Sequence, residues 1–434
     1  MSRPRGFPKP HLRNRLLRLA PAYSPELTSR RVARSGVCNT GAGWAQALRS
    51  DHENGRGPGL PAMHRLRIAQ VTEYYYPHLG GICEHVHFLA REARLRGHHV
   101  DIITSNLTGA IDAPDVIRVG RSVPVYSNGS LARITIGRAL RRQVREVLRD
   151  GAYDIVHVHA PLAPSLPLMA VDEAECPVVG TFHTYFDYSV GYTLGRRYFQ
   201  RRMARLAAAV AVSPTVVEAH ERYFEAEWTH IPNGVDTQLF SPNAPRPMSI
   251  RADVPSVLFL GRFDPRNGLA SLIDAFKRIR GPRRPAQLVV VGDGPLRAHY
   301  RRLAAGDPDI TFVGAVLGER PEYYANCSLY ACPTTKASFG ITLLESMACG
   351  TPIVCSDLNG FRNVVAHERE ALLVPCGETI ALADALATLL DDDAMSARLG
   401  ATGRQRALAY GWPRVSDTIL SLYARILGAA RIAA

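Results

Sequence analysis

The chain has 434 residues, a formal net charge of +13 and 46% hydrophobic residues. That length suits two domains of ordinary size, and the apolar share excludes wholesale disorder. No apolar run approaches the ~20 residues that span a bilayer, and the N-terminus lacks the apolar core and small-residue cleavage site of a secretory signal.

The +13 is uneven, because residues 1–62 carry eleven Arg or Lys and three acids. This Pro/Gly/Arg-rich stretch has no sustained period. It is expected to be a disordered basic extension, or a start assigned too early, ahead of Met63. A nucleic-acid arm would need an aromatic-and-basic recognition pattern in the folded part, and none is present, so no nucleic-acid partner is expected.

From Met63 the chain alternates strand and helix patterns. Apolar runs of strand length occupy Ile68–Val71, Val100–Thr104, Ile155–Val158, Val178–Phe182 and Val210–Val212. A second series follows at Val257–Leu260, Leu288–Val291, Ile310–Val313, Leu329–Ala331, Ile353–Cys355 and Leu372–Val374. Near-continuous apolar strands between helices predict parallel sheets covered on both faces, hence two doubly wound α/β domains. Four prolines between Ser241 and Pro255 mark the break between them. The expected boundaries are 63–245, 246–411 and a final helix over 412–434, whose Val415, Ile419, Leu422 and Ile426 need an apolar surface. The eight cysteines (Cys38, Cys83, Cys176, Cys327, Cys332, Cys349, Cys355, Cys376) form no C-x-x-C pair and read as reduced thiols.

Ligands of open α/β sheets bind at the carboxyl ends of the strands. Four places there carry chemistry. After the first strand, Gly80 and Gly81 open a helix whose free N–H groups suit a phosphate. His157 and His159 end the third strand and point to one side. No third ligand of matching context appears beside them, so no metal site is expected. His183 ends the fourth strand, where the cleft should lie. In the second domain, Arg262 stands among glycines (Gly261, Gly268) at a helix start, where its planar fork suits a diphosphate. Finally, Ser338, Phe339, Gly340 and Ile341 open a helix in which Glu345 is a lone carboxylate on an apolar element, placed to accept hydrogen bonds from a ribose diol.

Between Tyr126 and Arg133, at His157–Leu166, Thr181–Thr184, Ile231–Asp236, Ser338–Pro352 and Ser356–Arg362, the order and spacing of residues over about 370 positions resemble retaining glycosyltransferase family 4. The closest likeness is to phosphatidyl-myo-inositol mannosyltransferases. The resemblance implies the GT-B architecture: two facing Rossmann-like domains, with the C-terminal helix returning to the N-terminal one. It implies an acceptor domain followed by a nucleotide-sugar donor domain. Catalytic roles fall to His183, beside the anomeric carbon, and to Arg262, which neutralises the diphosphate. Donor-binding roles fall to Gly80, Gly81, Arg262, Ser338, Phe339, Gly340, Ile341 and Glu345. Asn128, Ser130 and Arg133 fall in the acceptor region. The implied reaction is a metal-independent, cofactor-free front-face transfer of a hexose, mannose favoured, from a nucleotide diphosphate-sugar, GDP-mannose favoured, to a lipid-linked acceptor such as phosphatidylinositol. A soluble acceptor, or a catalytically weak sugar-nucleotide-binding protein, are the alternatives.

Two positions depart from the family pattern. The lysine five residues after the arginine is Asn267, and the first glutamate of E-x7-E is Ala337. Lys336 or Arg266 could stand in for the missing cation. Arg138, Arg141, Arg142, Arg145 and Arg149 follow one face of a helix. That stripe suggests peripheral contact with anionic lipid, on the cytoplasmic side of the plasma membrane.

Overall fold

The computed structural model describes residues 65–433, except 79, 111–112, 128–129, 282–283 and 317. The expected basic extension over 1–62 lies outside the described residues.

The first sheet is built from β1 (Arg67–Val71), β2 (His99–Ser105) and β3 (Val116–Val119). A two-stranded ribbon, β4 (Arg121–Ser127) and β5 (Ser130–Ile136), follows, and then β6 (Ile155–His159), β7 (Val178–Phe182), β8 (Leu206–Ala211) and β9 (Trp228–His230) complete the sheet. Its helices are α1 (Gly81–Leu95), α2 (Leu140–Gly151), α3 (Leu166–Glu173), α4 (Val190–Leu194), α5 (Arg196–Met203) and α6 (Pro214–Glu221). The strand order is β3-β2-β1-β6-β7-β8-β9 and every pairing is parallel.

The second sheet has β10 (Ser256–Leu260), β11 (Gln287–Val291), β12 (Ile310–Gly314), β13 (Leu329–Cys332), β14 (Ile353–Ser356) and β15 (Ala371–Val374). They run in the order β12-β11-β10-β13-β14-β15, again parallel. Its helices are α7 (Leu269–Ile279), α8 (Arg297–Ala304), α9 (Arg320–Asn326), α10 (Ile341–Ala348), α11 (Asn359–Arg362), α12 (Thr379–Asp391) and α13 (Asp393–Leu408). Both orders are the doubly wound pattern, in which right-handed crossovers place helices on each face. Runs such as Val178–Phe182, buried at every position, exist because both faces are covered.

The last helix, α14 (Trp412–Ala433), packs against α1 and so returns to the first domain. Val415, Ile419, Leu422 and Tyr423 are its buried stripe, and the Trp412 indole stacks on Phe88 at 5.5 Å. Each such side chain contributes roughly 1.5–3 kcal/mol by leaving water. Arg96 anchors the junction through Asp417 at 2.7 Å.

Strand β8 begins four residues before the expected Val210, because Leu206 and the following alanines pack as readily in a strand as the more apolar residues after them. The β4–β5 ribbon, β3 and β9 were not expected. Their residues mix charged and apolar side chains, without the continuous run that marks a central strand. The Asn128-Gly129 pair between the ribbon strands is itself a hairpin signal.

Candidate active site

Crevices in doubly wound sheets open where the strand order reverses. Here that happens between β1 and β6 in one sheet and between β10 and β13 in the other. The carboxyl ends of β1, β6, β10 and β13 and the segments after them hold most of the residues singled out from the sequence: Gly80, Gly81 and His159 on one side, Arg262 and Ser338–Ile341 on the other. His183 follows β7, next to β6.

The two sides touch. A Cβ built on Gly81 would lie 2.5 Å from Ile341 Cδ1, so the first turns of α1 and α10 face each other across the cleft. Gly80 and Gly340 are their N-caps, and neither helix has a side-chain cap. Gly340 sits at φ 115°, a conformation that a side chain would strain. Two uncapped helix N-termini, each with free N–H groups and a partial positive charge, therefore converge on one place. Such a pair is electrostatically incomplete without an anion.

Ser338 ties the halves together. Its Oγ accepts from the Tyr185 amide at 2.8 Å, and its carbonyl accepts from Ser213 Oγ at 2.6 Å. Ser213 also caps α6 by accepting from Val216 N. Asn363 Nδ2 donates to Thr215 Oγ1 at 3.1 Å on the same seam. Phe339 is buried against Tyr410.

Arg262 is exposed and lies 3.3 Å from Asp264. The His78 imidazole is held down to about 4, first by burial and then by the nearby charges of Arg133 and Arg262. The Arg133 of the ribbon and the Arg262 of the second domain thus share one field, at the rim of the glycine loop. Asn267 does not face this field; its Nδ2 donates to the Arg262 carbonyl at 2.7 Å and braces the turn. Lys336 is already paired with Asp187 at 2.5 Å. Arg266 has no acidic partner among the described residues, and its charge reaches Tyr74 beside that of Arg262. Arg133 Nε donates to Ser122 Oγ at 2.8 Å across the ribbon. Ser130 begins β5, and Asn128 lies outside the described residues.

Glu345 is only 1% exposed. Arg320 Nη1 stands 2.8 Å away, and the same guanidinium binds Glu84 of α1. The Arg320–Glu345 approach is an ion pair, neither Glu345 oxygen meets a donor in well-aligned hydrogen-bond geometry, and the buried Tyr324 hydroxyl lies close enough to lower its carboxyl. Burial pushes the Glu345 carboxyl up, Arg320 pulls it down, and Glu84 pushes it up again. A buried carboxylate whose oxygens make no well-aligned hydrogen bond keeps acceptor capacity of the kind that a vicinal diol uses.

The histidines correct one expectation. His157 and His159 do stack, at 4.5 Å between ring centres. His159 also meets two further imidazoles, His183 and His85. His159 Nδ1 and His183 Nε2 are 3.0 Å apart, while His159 Nε2 meets Gln70 Oε1 at 2.7 Å. His157 bridges Tyr423 Oη at 2.5 Å and Thr181 Oγ1 at 2.6 Å. Burial drives all four imidazoles to the neutral form: His85 to about 4, His157 to about 3, and His159 and His183 well below their usual range. His85 was missed, although its place four residues after Gly81 puts it on the same face of α1. Arg320 was missed as well, and no sequence signal marks it.

The model of glycosyltransferase family 4 matches residues 79–239, and that of glycosyl transferases group 1 matches residues 254–392. The phosphatidyl-myo-inositol mannosyltransferase of Mycobacterium tuberculosis is 34% identical over 373 residues, which cover 84% of this chain and 98% of that protein. A D-inositol 3-phosphate glycosyltransferase of Xylanimonas cellulosilytica is 29% identical, covering 84% and 98%. Among solved structures, a sucrose-phosphate synthase from Thermosynechococcus elongatus superposes with a TM-score of 0.67 at 25% identity, over 83% of this chain and 99% of that one.

Proposed function

Because the chain belongs to glycosyltransferase family 4, we propose that it moves a hexose, mannose favoured, from a nucleotide diphosphate-sugar to a lipid-linked inositol acceptor, with retention of configuration. The observation that carries this reading is the convergence of two uncapped helix N-termini with Arg262 at the facing switch points of the two sheets. A diphosphate completes that field, and Glu345, about a turn and a half along α10, accepts from the ribose with carboxylate oxygens that make no well-aligned hydrogen bond within the protein.

In this reading Gly80, Gly81 and the Ser338–Ile341 backbone hold the diphosphate, and His183 lies by the anomeric carbon. As the sugar–oxygen bond breaks, charge grows on the diphosphate oxygen, where Arg262 and the helix dipoles stabilise it without a metal. That oxygen then takes the acceptor hydroxyl proton on the same face of the sugar. Arg266, rather than Lys336, supplies the second cation in place of the family lysine, since Lys336 is held by Asp187. Arg133, with Asn128 and Ser130, receives the acceptor.

We assign the membrane contact to a different surface from the arginine stripe of α2. On α2, Arg141 and Arg145 are both paired with Glu173, and Arg142 with Glu146. By contrast Tyr188, Val190, Leu194 and Tyr198 are exposed on and beside α4 and α5, next to Arg197 and Arg201, which have no acidic partner among the described residues. Apolar side chains among free cations suit an anionic interface. No described helix is long and apolar enough to cross a membrane.

A soluble phosphorylated inositol is the second reading, favoured by the inositol-phosphate-acting relative. The test offers GDP-mannose, UDP-glucose and UDP-N-acetylglucosamine with either phosphatidylinositol vesicles or inositol 3-phosphate, with and without EDTA. Transfer of mannose to the lipid, resistant to EDTA and giving an axial anomeric bond, is the expected outcome. Transfer to inositol 3-phosphate alone selects the second reading. Donor binding without transfer to either acceptor overturns both.

A further inference from the structure

Three imidazoles from three elements meet at the floor of the cleft: His85 of α1, His159 at the end of β6 and His183 just after β7. Their available nitrogens all lie within 4.8 Å of one another. The ring centres are 5.3 Å (His85–His159), 4.9 Å (His85–His183) and 5.3 Å (His159–His183) apart. Three imidazoles on a tetrahedral ion, with metal–nitrogen bonds of ~2.05 Å, would have ring centres ~5.2 Å apart and nitrogens ~3.3 Å apart. The present spacing is within a few tenths of an ångström of the first figure. His159 Nδ1 and His183 Nε2, at 3.0 Å, need to part only slightly to reach the second.

The outer contacts are also those of a ligand set. His85 Nδ1 is 2.8 Å from Asn233 Oδ1, and His159 Nε2 is 2.7 Å from Gln70 Oε1. With these amide oxygens accepting, both rings turn a lone pair inward, and each is fixed from behind by a carbonyl, as metal-bound histidines usually are. His85 Nε2 is fully buried and has no hydrogen-bond partner, so something is owed at that point. His183 presents its own lone pair if its proton moves from Nε2 to Nδ1. Binding then releases no proton, because all three ligands are neutral imidazoles before and after.

We propose that His85, His159 and His183 form a binding site for one transition-metal ion of the zinc class, with its fourth position open to the cleft, and that an ion there blocks sugar transfer. The inhibitory half rests on the transferase reading, since it follows from tying up His183 where the anomeric carbon would sit. The binding half stands without it. Imidazole ligands select Zn2+, Co2+, Ni2+ or Cu2+ and not Mg2+ or Mn2+.

Co2+ titrated into the full chain, with no donor or acceptor present, should give the visible absorption of a tetrahedral or five-coordinate ion at one equivalent. Zn2+ should displace it, and millimolar Mg2+ should not. His85→Ala should abolish the band. Asn233→Ala keeps all three imidazoles, removes the carbonyl behind His85, and should weaken binding by roughly 10–100-fold. Cys376→Ser, which removes the one exposed thiol among the described residues, should change nothing. Circular dichroism certifies the fold of each variant, and the Asn233 result stands even where His85→Ala does not fold. No band in the wild type, or a band unchanged in folded Asn233→Ala and His85→Ala, overturns the site. A band together with Zn2+-insensitive or Zn2+-accelerated transfer overturns the inhibitory half. A band with no transfer under any condition leaves the site standing and removes the transferase reading instead.

Discussion

Arg320 offers the sharpest test of the domain seam. Its side chain is 21% exposed and stands between Glu345, 1% exposed, and Glu84, 11% exposed. One cation thus offsets two largely buried carboxylates on opposite domains. Arg320→Met leaves both without a counter-charge. Removing one partner from a buried ion pair costs about 3–5 kcal/mol, because the remaining charge stays desolvated and unpaired. Spread over a domain of this size, that corresponds to a fall in melting temperature on the order of 10 °C. Glu84→Gln should be nearly neutral, since it leaves Arg320 and Glu345 as a balanced pair. The double variant Arg320→Met/Glu84→Gln should recover part of the loss, since only one carboxylate then stays uncompensated. Burial and Glu84 already raise the Glu345 carboxyl, and loss of Arg320 raises it further. A carboxyl that is protonated in the folded state and ionised in the unfolded one loses stability as pH rises above the ordinary carboxylate range. The excess cost of Arg320→Met over wild type should therefore grow from pH 5 to pH 8. The readouts are differential scanning fluorimetry across that range and titration with the nucleotide diphosphate. Nucleotide affinity should also fall, because a protonated Glu345 no longer accepts from both ribose hydroxyls. If folded Arg320→Met loses less than ~1 kcal/mol and shows no pH trend against wild type, the account of Arg320 as the counter-charge is wrong.

Four further outcomes follow from the same geometry. Arg262→Ala should lower kcat by roughly 100–1,000-fold with little change in stability, as expected for one donor to a developing anion; Arg266→Ala should cost transfer and Lys336→Ala little, and the reverse ranking would move the missing lysine's role to Lys336. Acid should destabilise the first domain: His85 is neutral in the fold, held to about 4, and charges near 6.5 when unfolded, so stability is lost as pH falls below 6.5, with about 2 kcal/mol gone at pH 5 from this residue alone. A melting temperature flat from pH 7 to pH 5 would contradict that. Leu194→Asp should weaken sedimentation with anionic vesicles and leave the melting temperature nearly unchanged, since Leu194 is 83% exposed; retained binding would place the lipid contact elsewhere.

Much of the fold was legible because parallel strands covered on both faces cannot hide. Runs such as Leu288–Val291 must be apolar throughout, and their spacing by helices fixes the doubly wound class. The stripe Val415, Ile419, Leu422 on α14 was legible for the same reason, as an apolar face needing a partner. The ribbon β4–β5 was not, since two strands outside the main sheets carry no continuous run, and only the Asn128-Gly129 pair marks their turn.

The candidate site divides along the same physical line. Gly80, Gly81, Gly340 and Arg262 could be found because each acts through its own local backbone or its place after a strand. Glu345 could be found because a carboxylate on an apolar helix must be answered by something. What answers it in the fold is Arg320, and that depends on α9 being laid beside α10 with Arg320 reaching Glu84 of α1, a tertiary fact with no local signature. The histidines show the same divide within one cluster. His157 and His159 announce themselves by alternation on one strand, but the meeting of His159 with His85 and His183 is made by the tertiary fold. Sequence spacing reveals pairs on one element and not clusters assembled from three. Here the missing imidazole sat four residues beyond a glycine pair already chosen for its closeness to the ligand. Residues one helical turn beyond a loop that a ligand approaches lie on the same face of the helix as the loop's own first residue.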